Sequence, residues 1–339
     1  MFSFAAWMDL PLIWTAIIAI AVFLYVLLDG FDLGVGILFP FAPTDECRDK
    51  LMSSIAPFWD GNETWLVLGG GGLLAAFPLA YSVILPALYL PILFMLIALV
   101  FRGVAFEFRF KATQESRKYW DAAFHFGSLA AAFMQGVILG SIIQGIEVQG
   151  RSFSGGHWDW LTAFPLMTGI AVVSGYALLG ATWLILKTTD ETQKWARKSC
   201  LYVIIYVLFF VGLVSIWVPF THEHIFHRWF DWPNIILLAP MPIGVAILGL
   251  FLVKWLKEGK ELAPFLAAQG LFALNYIGLG ISMWPWMVPY SLTVWDTAAA
   301  PESLSLLLVG TVILLPVILG YTAYSYYVFR GKTTEATYH

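Results

Sequence analysis

The chain has 339 residues, of which 60% are hydrophobic and 12% are charged, and its formal net charge is −4. Soluble domains carry about 25% charged residues, so this composition excludes an ordinary soluble domain. The basic residues are explained by membrane orientation, without nucleic-acid binding. Several apolar runs reach the length of about 20 residues that a helix needs to cross a bilayer. The composition therefore indicates a polytopic membrane protein.

The apolar runs predict an all-α fold of about nine transmembrane helices in one domain covering residues 1–339. In chain order the predicted spans are centred in residues 12–38, 63–83, 85–103, 122–146, 162–186, 200–219, 235–255, 265–286 and 304–328. Spans one to four and five to eight are interpreted as two four-helix bundles, with span nine added. No convincing internal repeat supports this subdivision.

The basic residues predict the orientation of the spans. All but two of the 18 Lys and Arg residues follow odd-numbered spans, and the exceptions are Arg151 and Arg228. Positive charge is concentrated in cytoplasmic loops. The loops after odd spans and the C-terminus are therefore predicted to be cytoplasmic, and the N-terminus is predicted to lie outside.

Two acids lie within the first predicted span, in the string DGFDLGVG at residues 29–36. Asp29 and Asp32 are three residues apart, so they share one helix face, and the neighbouring glycines allow another backbone to approach. A charge at the centre of a membrane helix costs roughly 2.5–3.5 kcal/mol, so such acids face a polar interior, pair with a base or carry protons. A proton relay or cation site is one interpretation. A structural pair, hydrogen-bonded to a neighbouring helix or to an arginine at the cytoplasmic edge, is the other.

A second polar group stands at the entrance to span two, in the string APFWDGNETWLVLGGGG. Its polar and aromatic members are Trp59, Asp60, Asn62, Glu63 and Trp65. A carboxyl under an aromatic lid can store a proton transiently, whereas an interfacial helix cap with tryptophan anchors would explain the same residues structurally. The four glycines that follow are predicted to pack helices and not to bind phosphate.

A third group alternates charges with aromatic residues after span three, in the string RGVAFEFRFK at residues 102–111. Arg102, Glu107, Arg109 and Lys111 are predicted to lie at the cytoplasmic interface. They could form a wet mouth that collects protons. Topology signals within an aromatic belt are the other explanation, and the string alone favours it.

The histidines and cysteines predict no metal site in this chain. His222, His224 and His227 form a loop motif without a supporting Cys or carboxylate arrangement. His125 is the one histidine near a span and is interpreted as a packing residue. Two cysteines on the reducing side are predicted to be packing residues without a disulfide, namely Cys47 and Cys200.

Four strings resemble, in order, subunit II of the bacterial cytochrome bd-type ubiquinol oxidases. They are DGFDLGVG, SIAPFWDGNETWL, FRGVAFEFR and SLTVWD. The resemblance covers nearly the whole chain. FPF at residues 39–41 and GNETWLVLGG at residues 61–70 are most similar to the cyanide-insensitive branch of this family.

The resemblance implies a haem-free subunit of a heterodimer in the bacterial inner membrane. The partner, subunit I, would hold two haems b, one haem d and the quinol site, and would reduce dioxygen to water. This chain would stabilise subunit I and line a cytoplasmic proton-uptake path. The resemblance leaves open a structural ubiquinone in this chain and a small single-helix accessory subunit, and it implies contact with membrane lipid.

The resemblance also implies roles for individual residues. Asp60 matches an acid of the family's proton channel, and Glu107 with Lys111 matches an acid and a base near its mouth, although members often have Asp at the position of Glu107. Asp29 and Asp32 are expected to belong to the same path. Supporting roles are expected for Trp59, Asn62, Glu63, Arg102, Trp295 and Asp296. A proton-coupled secondary transporter or channel is the main alternative, and a purely structural subunit is the third.

Overall fold

The structure is a computed structural model that describes residues 9–333, and it is all-α apart from two short hairpins. Both termini, whose sides were predicted, lie outside these residues. The helices are α1 (Leu10–Leu38), α2 (Asp45–Ile55), α3 (Trp59–Ala76), α4 (Pro78–Ala87), α5 (Tyr89–Arg109), α6 (Gln114–Gln144), α7 (Ala163–Lys187), α8 (Asp190–Thr221), α9 (Glu223–Phe230), α10 (Asn234–Leu238), α11 (Pro240–Lys257), α12 (Leu262–Met283), α13 (Val294–Thr297) and α14 (Pro301–Val328), and a 3₁₀ turn covers Phe39–Phe41. Strands β1 (Val148–Gln149) and β2 (Ser152–Phe153) form one antiparallel hairpin, and β3 (Trp286–Val288) and β4 (Leu292–Thr293) form the other.

Within residues 9–333, eight helical segments are long and apolar enough to cross a membrane. They correspond to eight of the predicted spans, with α10 and α11 counted as one segment. The second predicted span is different, because α3 ends at Ala76 and α4 begins at Pro78. Proline disfavours helical backbone at the preceding residue, and Phe77 accordingly has a φ of −132° and a ψ of 60°. The prediction of one continuous helix there is wrong.

Helix α1 lies at the centre of the fold, where it packs against α3, α6 and α7. Helix α5 pairs with α6, α7 also contacts α6, α8 and α12, and α11 pairs with α12. Helix α14 runs beside α1 and α3, with only 6% of its most apolar stretch buried. The acids of α1 therefore lie in the best-packed part of the molecule.

Small residues bring α1 and α7 into backbone contact. A Cβ added at Gly34 would collide with the backbone of Tyr176, and one added at Gly180 would collide with the backbone of Gly34. Gly36 likewise faces the side chain of Ser128 on α6. The predicted close approach of other helices to the glycines beside Asp29 is confirmed, and it closes this region to bulk water.

Polar contacts group the loops into two ends of the molecule. Lys332 after α14 forms an ion pair of 2.7 Å with Glu261 before α12 at one end. At the other end, the Trp295 indole donates a hydrogen bond of 2.9 Å to Asp9, the N-cap of α1. This grouping agrees with the predicted alternation of the loops. Which end faces the cytoplasm stays a prediction.

Candidate functional site

A buried ion pair lies at the centre of the site. Arg102 Nη1 on α5 donates a hydrogen bond of 2.9 Å to Asp29 Oδ1 on α1, and both side chains are 0% exposed. Arg102 was predicted to lie at the cytoplasmic interface; its side chain is buried inside the helix bundle, seven residues before the end of α5. Of the two interpretations of the acids in α1, the arginine pairing is present, although the arginine is inside the bundle.

The second acid of α1 is held by an amide. Asn62 Nδ2 on α3 donates a hydrogen bond of 2.7 Å to Asp32 Oδ2, and the Tyr326 hydroxyl on α14 donates one of 2.9 Å to Asn62 Oδ1. Asp32 and Asn62 are buried. This chain of bonds joins three helices and fixes the direction of the amide. Asn62, expected to support the acids, therefore contacts one of them directly.

A polar branch leads from Asp29 toward α6 and α7. Gln135 Nε2 on α6 donates a hydrogen bond of 2.7 Å to the Tyr25 hydroxyl, and the Tyr176 hydroxyl on α7 donates one of 2.7 Å to Gln135 Oε1. Tyr25 lies one turn before Asp29 on α1. The sequence analysis did not select Tyr25, Gln135, Tyr176 or Tyr326. A polar atom within an otherwise apolar span was the signal that could have found them.

Glu63 connects this interior to the surface. Its Oε2 lies 3.8 Å from Arg102 Nη1, the same nitrogen that bonds Asp29, and its side chain is 32% exposed. Asp60 lies one turn earlier on α3 and is exposed. The carboxylates therefore form a series of increasing burial, from Asp60 on the surface, through the half-buried Glu63, to the fully buried Asp29.

The three residues that match the family channel all lie on the surface of the chain. Asp60, Glu107 and Lys111 are exposed. Trp59 stacks on Phe106 of α5, with ring centroids 5.1 Å apart, and this contact holds the start of α3 against α5. Within the described residues, no aromatic lid removes Asp60 from solvent, so the predicted shielding is not formed by this chain. Asp29 and Asp32 lie deeper than Asp60.

Arg109 is not part of a wet mouth. Its side chain is buried, its Nη1 donates a hydrogen bond of 2.7 Å to Asp49 on α2, and its Nε bonds Asp121 on α6. Its guanidinium also lies 5.0 Å from the ring centroid of Phe39. Arg117 shares Asp49. These contacts fasten α2 to the corner between α5 and α6, while Glu107 and Lys111 stay exposed beside it.

Trp295 and Asp296, expected to support the acids, are at the other end of the molecule. Trp295 contacts Asp9, which is separated from Asp29 by 20 residues of chain, so the distance along α1 is roughly 30 Å. Asp296 forms a capping box with Thr293, whose side-chain and backbone donors hold the pKa of Asp296 below its usual value. These residues order the ends of the helices and do not contact the buried acids.

The three histidines of the loop motif do not converge. His222 and His224 pack against Tyr290, with ring centroids 4.7 and 4.6 Å from it, and burial lowers the pKa of both imidazoles. His227 pairs instead with Asp231, whose hydrogen bond raises the pKa of His227. Among residues 9–333, no group of three or more His, Cys, Asp or Glu side chains is placed to hold a metal ion. Cys47 and Cys200 are buried free cysteines, and Cys47 Sγ accepts a hydrogen bond of 3.2 Å from the Thr192 hydroxyl.

Comparison with known proteins identifies the family. A sequence model described as cytochrome bd terminal oxidase subunit II matches residues 10–329. The chain belongs to this family. It is thus a subunit of an oxidoreductase, and it is a multi-pass protein of the bacterial inner membrane.

Individual relatives align with this chain over nearly their full lengths. The chain is 28% identical to the cytochrome bd-I ubiquinol oxidase subunit 2 of Escherichia coli strain K12, with 96% of each chain covered. It is 29% identical to the cytochrome bd ubiquinol oxidase subunit 2 of Bacillus subtilis strain 168, over 95% of this chain and 96% of the relative. The bd oxidase of Geobacillus thermodenitrificans has a chain of the same fold, with a TM-score of 0.75 and 17% identity over 95% of this chain and 99% of that chain.

Proposed function

We propose that this chain is the haem-free subunit of a ubiquinol oxidase and lines a path by which cytoplasmic protons reach the site of dioxygen reduction. In this proposal a haem-bearing subunit I carries two haems b, one haem d and the quinol site. This chain covers and stabilises subunit I and supplies protons toward it. The family membership supports the complex, and the buried acids support the proton path.

One observation carries the proton path: titratable groups continue from the surface into the core. Asp60 is exposed, Glu63 is half-buried, and Asp29 is fully buried beside Arg102. A proton relay needs titratable groups or water within hydrogen-bond reach of one another. An ion pair with a purely structural role would not require a series of acids of decreasing burial that leads to the surface.

The surface acids fit a path that a second protein completes. Asp60, Glu107 and Lys111 are exposed on the parts of α3 and α5 that the Trp59–Phe106 contact holds together. A carboxylate on an apolar membrane surface is costly unless a polar partner or water covers it. We therefore place the surface of α3 and α5 that carries these groups against subunit I.

In this proposal the haems lie in subunit I. His125 is the one histidine within the described membrane-spanning helices, and its Nδ1 lies 3.1 Å from the Gly36 carbonyl oxygen. The proposed complex also includes a structural ubiquinone and a small single-helix accessory subunit. The complex contacts membrane lipid.

A redox difference spectrum of the complex purified through a tag on this chain tests the assembly. Haem absorption and quinol-dependent oxygen uptake should copurify with the chain. A colourless, well-folded preparation without a large partner would contradict the proposal and favour a transporter.

Asp60→Asn tests the path itself in the same complex. Haem content should be preserved while oxygen reduction slows by about 100-fold, the lower end of what a lost proton-transfer group costs. Asp45→Asn is the matched control, because Asp45 is an exposed acid on α2 whose ion pair is with its neighbour Arg48. Unchanged turnover of Asp60→Asn with normal assembly would support a purely structural subunit.

A further inference from the structure

We propose that Glu63 passes the proton to Asp29 and that Arg102 exchanges partners as it does so, turning from Asp29 toward Glu63. The inference rests on the proposed proton path and names the residue through which a proton enters the core. Glu63 then acts as an entry acid between the surface carboxylates and the buried pair, and not as a helix cap beside Asp60.

The geometry places two carboxylates in competition for one guanidinium. Arg102 Nη1 lies 2.9 Å from Asp29 Oδ1 and 3.8 Å from Glu63 Oε2. The first distance is a hydrogen bond and the second is too long for one. A movement of about 1 Å at the end of the arginine side chain would exchange the two. Arg102 is therefore poised between a buried acid and a half-exposed acid.

Within residues 9–333, the remaining polar atoms of Arg102 and Asp29 form no hydrogen bonds that would oppose the exchange. Arg102 Nε, Arg102 Nη2 and Asp29 Oδ2 are buried and have no hydrogen-bond partner among the described residues. Buried polar atoms normally have partners in the protein or in ordered water. A guanidinium held by one of its donors can turn more easily than one held by several. The free oxygen of Asp29 is also a place for a proton to bind.

Electrostatic attraction links the proton transfer from Glu63 to Asp29 with the turning of Arg102. Arginine stays protonated in proteins, so Arg102 keeps its positive charge throughout. When Glu63 is protonated, Arg102 neutralises the buried Asp29 carboxylate. When Glu63 loses its proton, its carboxylate attracts Arg102, and Asp29 no longer has a partner that stabilises its charge. An unpaired buried carboxylate is costly, so Asp29 then takes up the proton.

The transfer is balanced in atoms and charge. The O–H bond of the Glu63 carboxyl group breaks, the proton is relayed through water, and an O–H bond forms at Asp29 Oδ2. Arg102 moves in the same direction as the negative charge, from Asp29 to Glu63, and opposite to the proton. The three groups together carry the same net charge before and after the step, so no isolated charge is created in the membrane.

Other charged groups around Glu63 favour this direction of flow. Asp60, one turn earlier on α3, attracts protons to the surface beside Glu63 and favours the return of a proton to Glu63 after the transfer. Asp32, one turn after Asp29 on α1, keeps its bond to Asn62 and has an unpartnered oxygen, Oδ1. Tyr25 lies one turn before Asp29 on the same helix.

The experiment measures proton uptake by the intact complex of this chain with its partner. The fully reduced complex is mixed with dioxygen, and uptake is followed with a pH-indicator dye. The variants are Glu63→Gln, Glu63→Asp and Asp29→Asn. The control is Glu191→Gln, which removes an exposed acid from the first turn of α8, away from the site. Haem content and thermal stability are measured for each variant.

Glu63→Gln should slow proton uptake at least about 100-fold, as expected for loss of a proton-transfer group, with unchanged haem content. Glu63→Asp should restore most of the rate because it keeps a carboxyl group. Slow uptake in Asp29→Asn but normal uptake in Glu63→Gln would overturn this inference and leave the proposed path intact. Normal uptake in Asp29→Asn, Asp60→Asn and Glu63→Gln alike would overturn both.

Infrared difference spectroscopy of the same complex tests the exchange of partners. Asp29→Asn should remove a carboxyl C=O band that appears when the reduced complex is oxidised. In Glu63→Gln that band should be lost or shifted, because Arg102 no longer has a second carboxylate to bind. A band of Asp29 with unchanged position and amplitude in Glu63→Gln would show that the two acids titrate independently and would overturn the exchange.

Discussion

Two arginines on α5 show how similar residues acquire different roles. Arg102 and Arg109 are seven residues apart, or about two turns, and both side chains are 0% exposed. Arg109 bonds two aspartates through two nitrogens, with an aromatic ring beside its guanidinium. Arg102 bonds one aspartate through one nitrogen. The two arginine side chains are equally buried, but Arg109 has more hydrogen-bond partners than Arg102.

The number of bonded nitrogens, two on Arg109 and one on Arg102, distinguishes a structural contact from one that can move. The acids that bind Arg109 come from α2 and α6, so the contact fixes three parts of the chain. They are also 20% and 23% exposed, at the edge of the fold. Arg102 lies deeper and has a second acid just beyond bonding distance. We therefore expect substitutions around Arg109 to change stability, and those around Arg102 to change proton transfer as well.

Arg102→Met should have the largest effect, because it leaves Asp29 buried without its ionic partner. Breaking a buried pair in this way costs about 3–5 kcal/mol. We expect loss of assembled complex, measured as haem yield per membrane protein and as a lowered midpoint of thermal unfolding.

The double variant Arg102→Met with Asp29→Asn separates lost charge pairing from lost packing. It should recover assembly relative to Arg102→Met, since no uncompensated charge remains, but proton uptake should stay slow. Equal assembly defects in the single and double variants would show that Arg102 contributes through its packing alone, and the contrast with Arg109 would then disappear.

Asp49→Asn should have an intermediate effect, confined to stability. Asp49 accepts hydrogen bonds from both Arg109 and Arg117, and Arg109 keeps its bond to Asp121 after the substitution. Losing hydrogen bonds to charged groups costs roughly 1.5–3 kcal/mol. The unfolding midpoint should fall while proton uptake per haem stays normal. Slowed uptake in a stable Asp49→Asn complex would contradict a purely structural role for this contact.

Glu261→Gln should have the smallest effect, because it removes an ion pair that is exposed. Hydrogen bonds from Lys332 and Gln193 lower the pKa of Glu261 below its usual value of 4.5. A group whose pKa is lower in the folded state stabilises the fold above its unfolded pKa, and this contribution is lost as the pH falls through the folded value. Exposed pairs contribute at most about 1 kcal/mol. Wild type and Glu261→Gln should therefore differ slightly at pH 7 and converge below about pH 4.5, in thermal unfolding measured across pH.

The sequence pattern predicted the surroundings of acids whose burial in an apolar segment is energetically costly. Asp29 and Asp32 lie in a strongly apolar run, and both are buried and hydrogen-bonded. The glycines beside them predicted a close helix contact, and Gly34 meets the backbone of α7. Spacing could not give the depth of Arg102, because a positive charge near the end of an apolar run has the same pattern whether it faces a loop or another helix.

The sequence by itself determined the class of the molecule, its apolar spans and the presence of acids that require partners. These follow from local composition, since the free energy of placing a side chain in lipid depends on its own chemistry. Only the tertiary structure decided which partners those acids have. Asp29 and Arg102 are 73 positions apart, and Asn62 and Tyr326 are 264 apart. Such pairs are set by the packing of helices against one another. That packing also leaves Glu63 between the surface and the core, which no spacing along the chain could reveal.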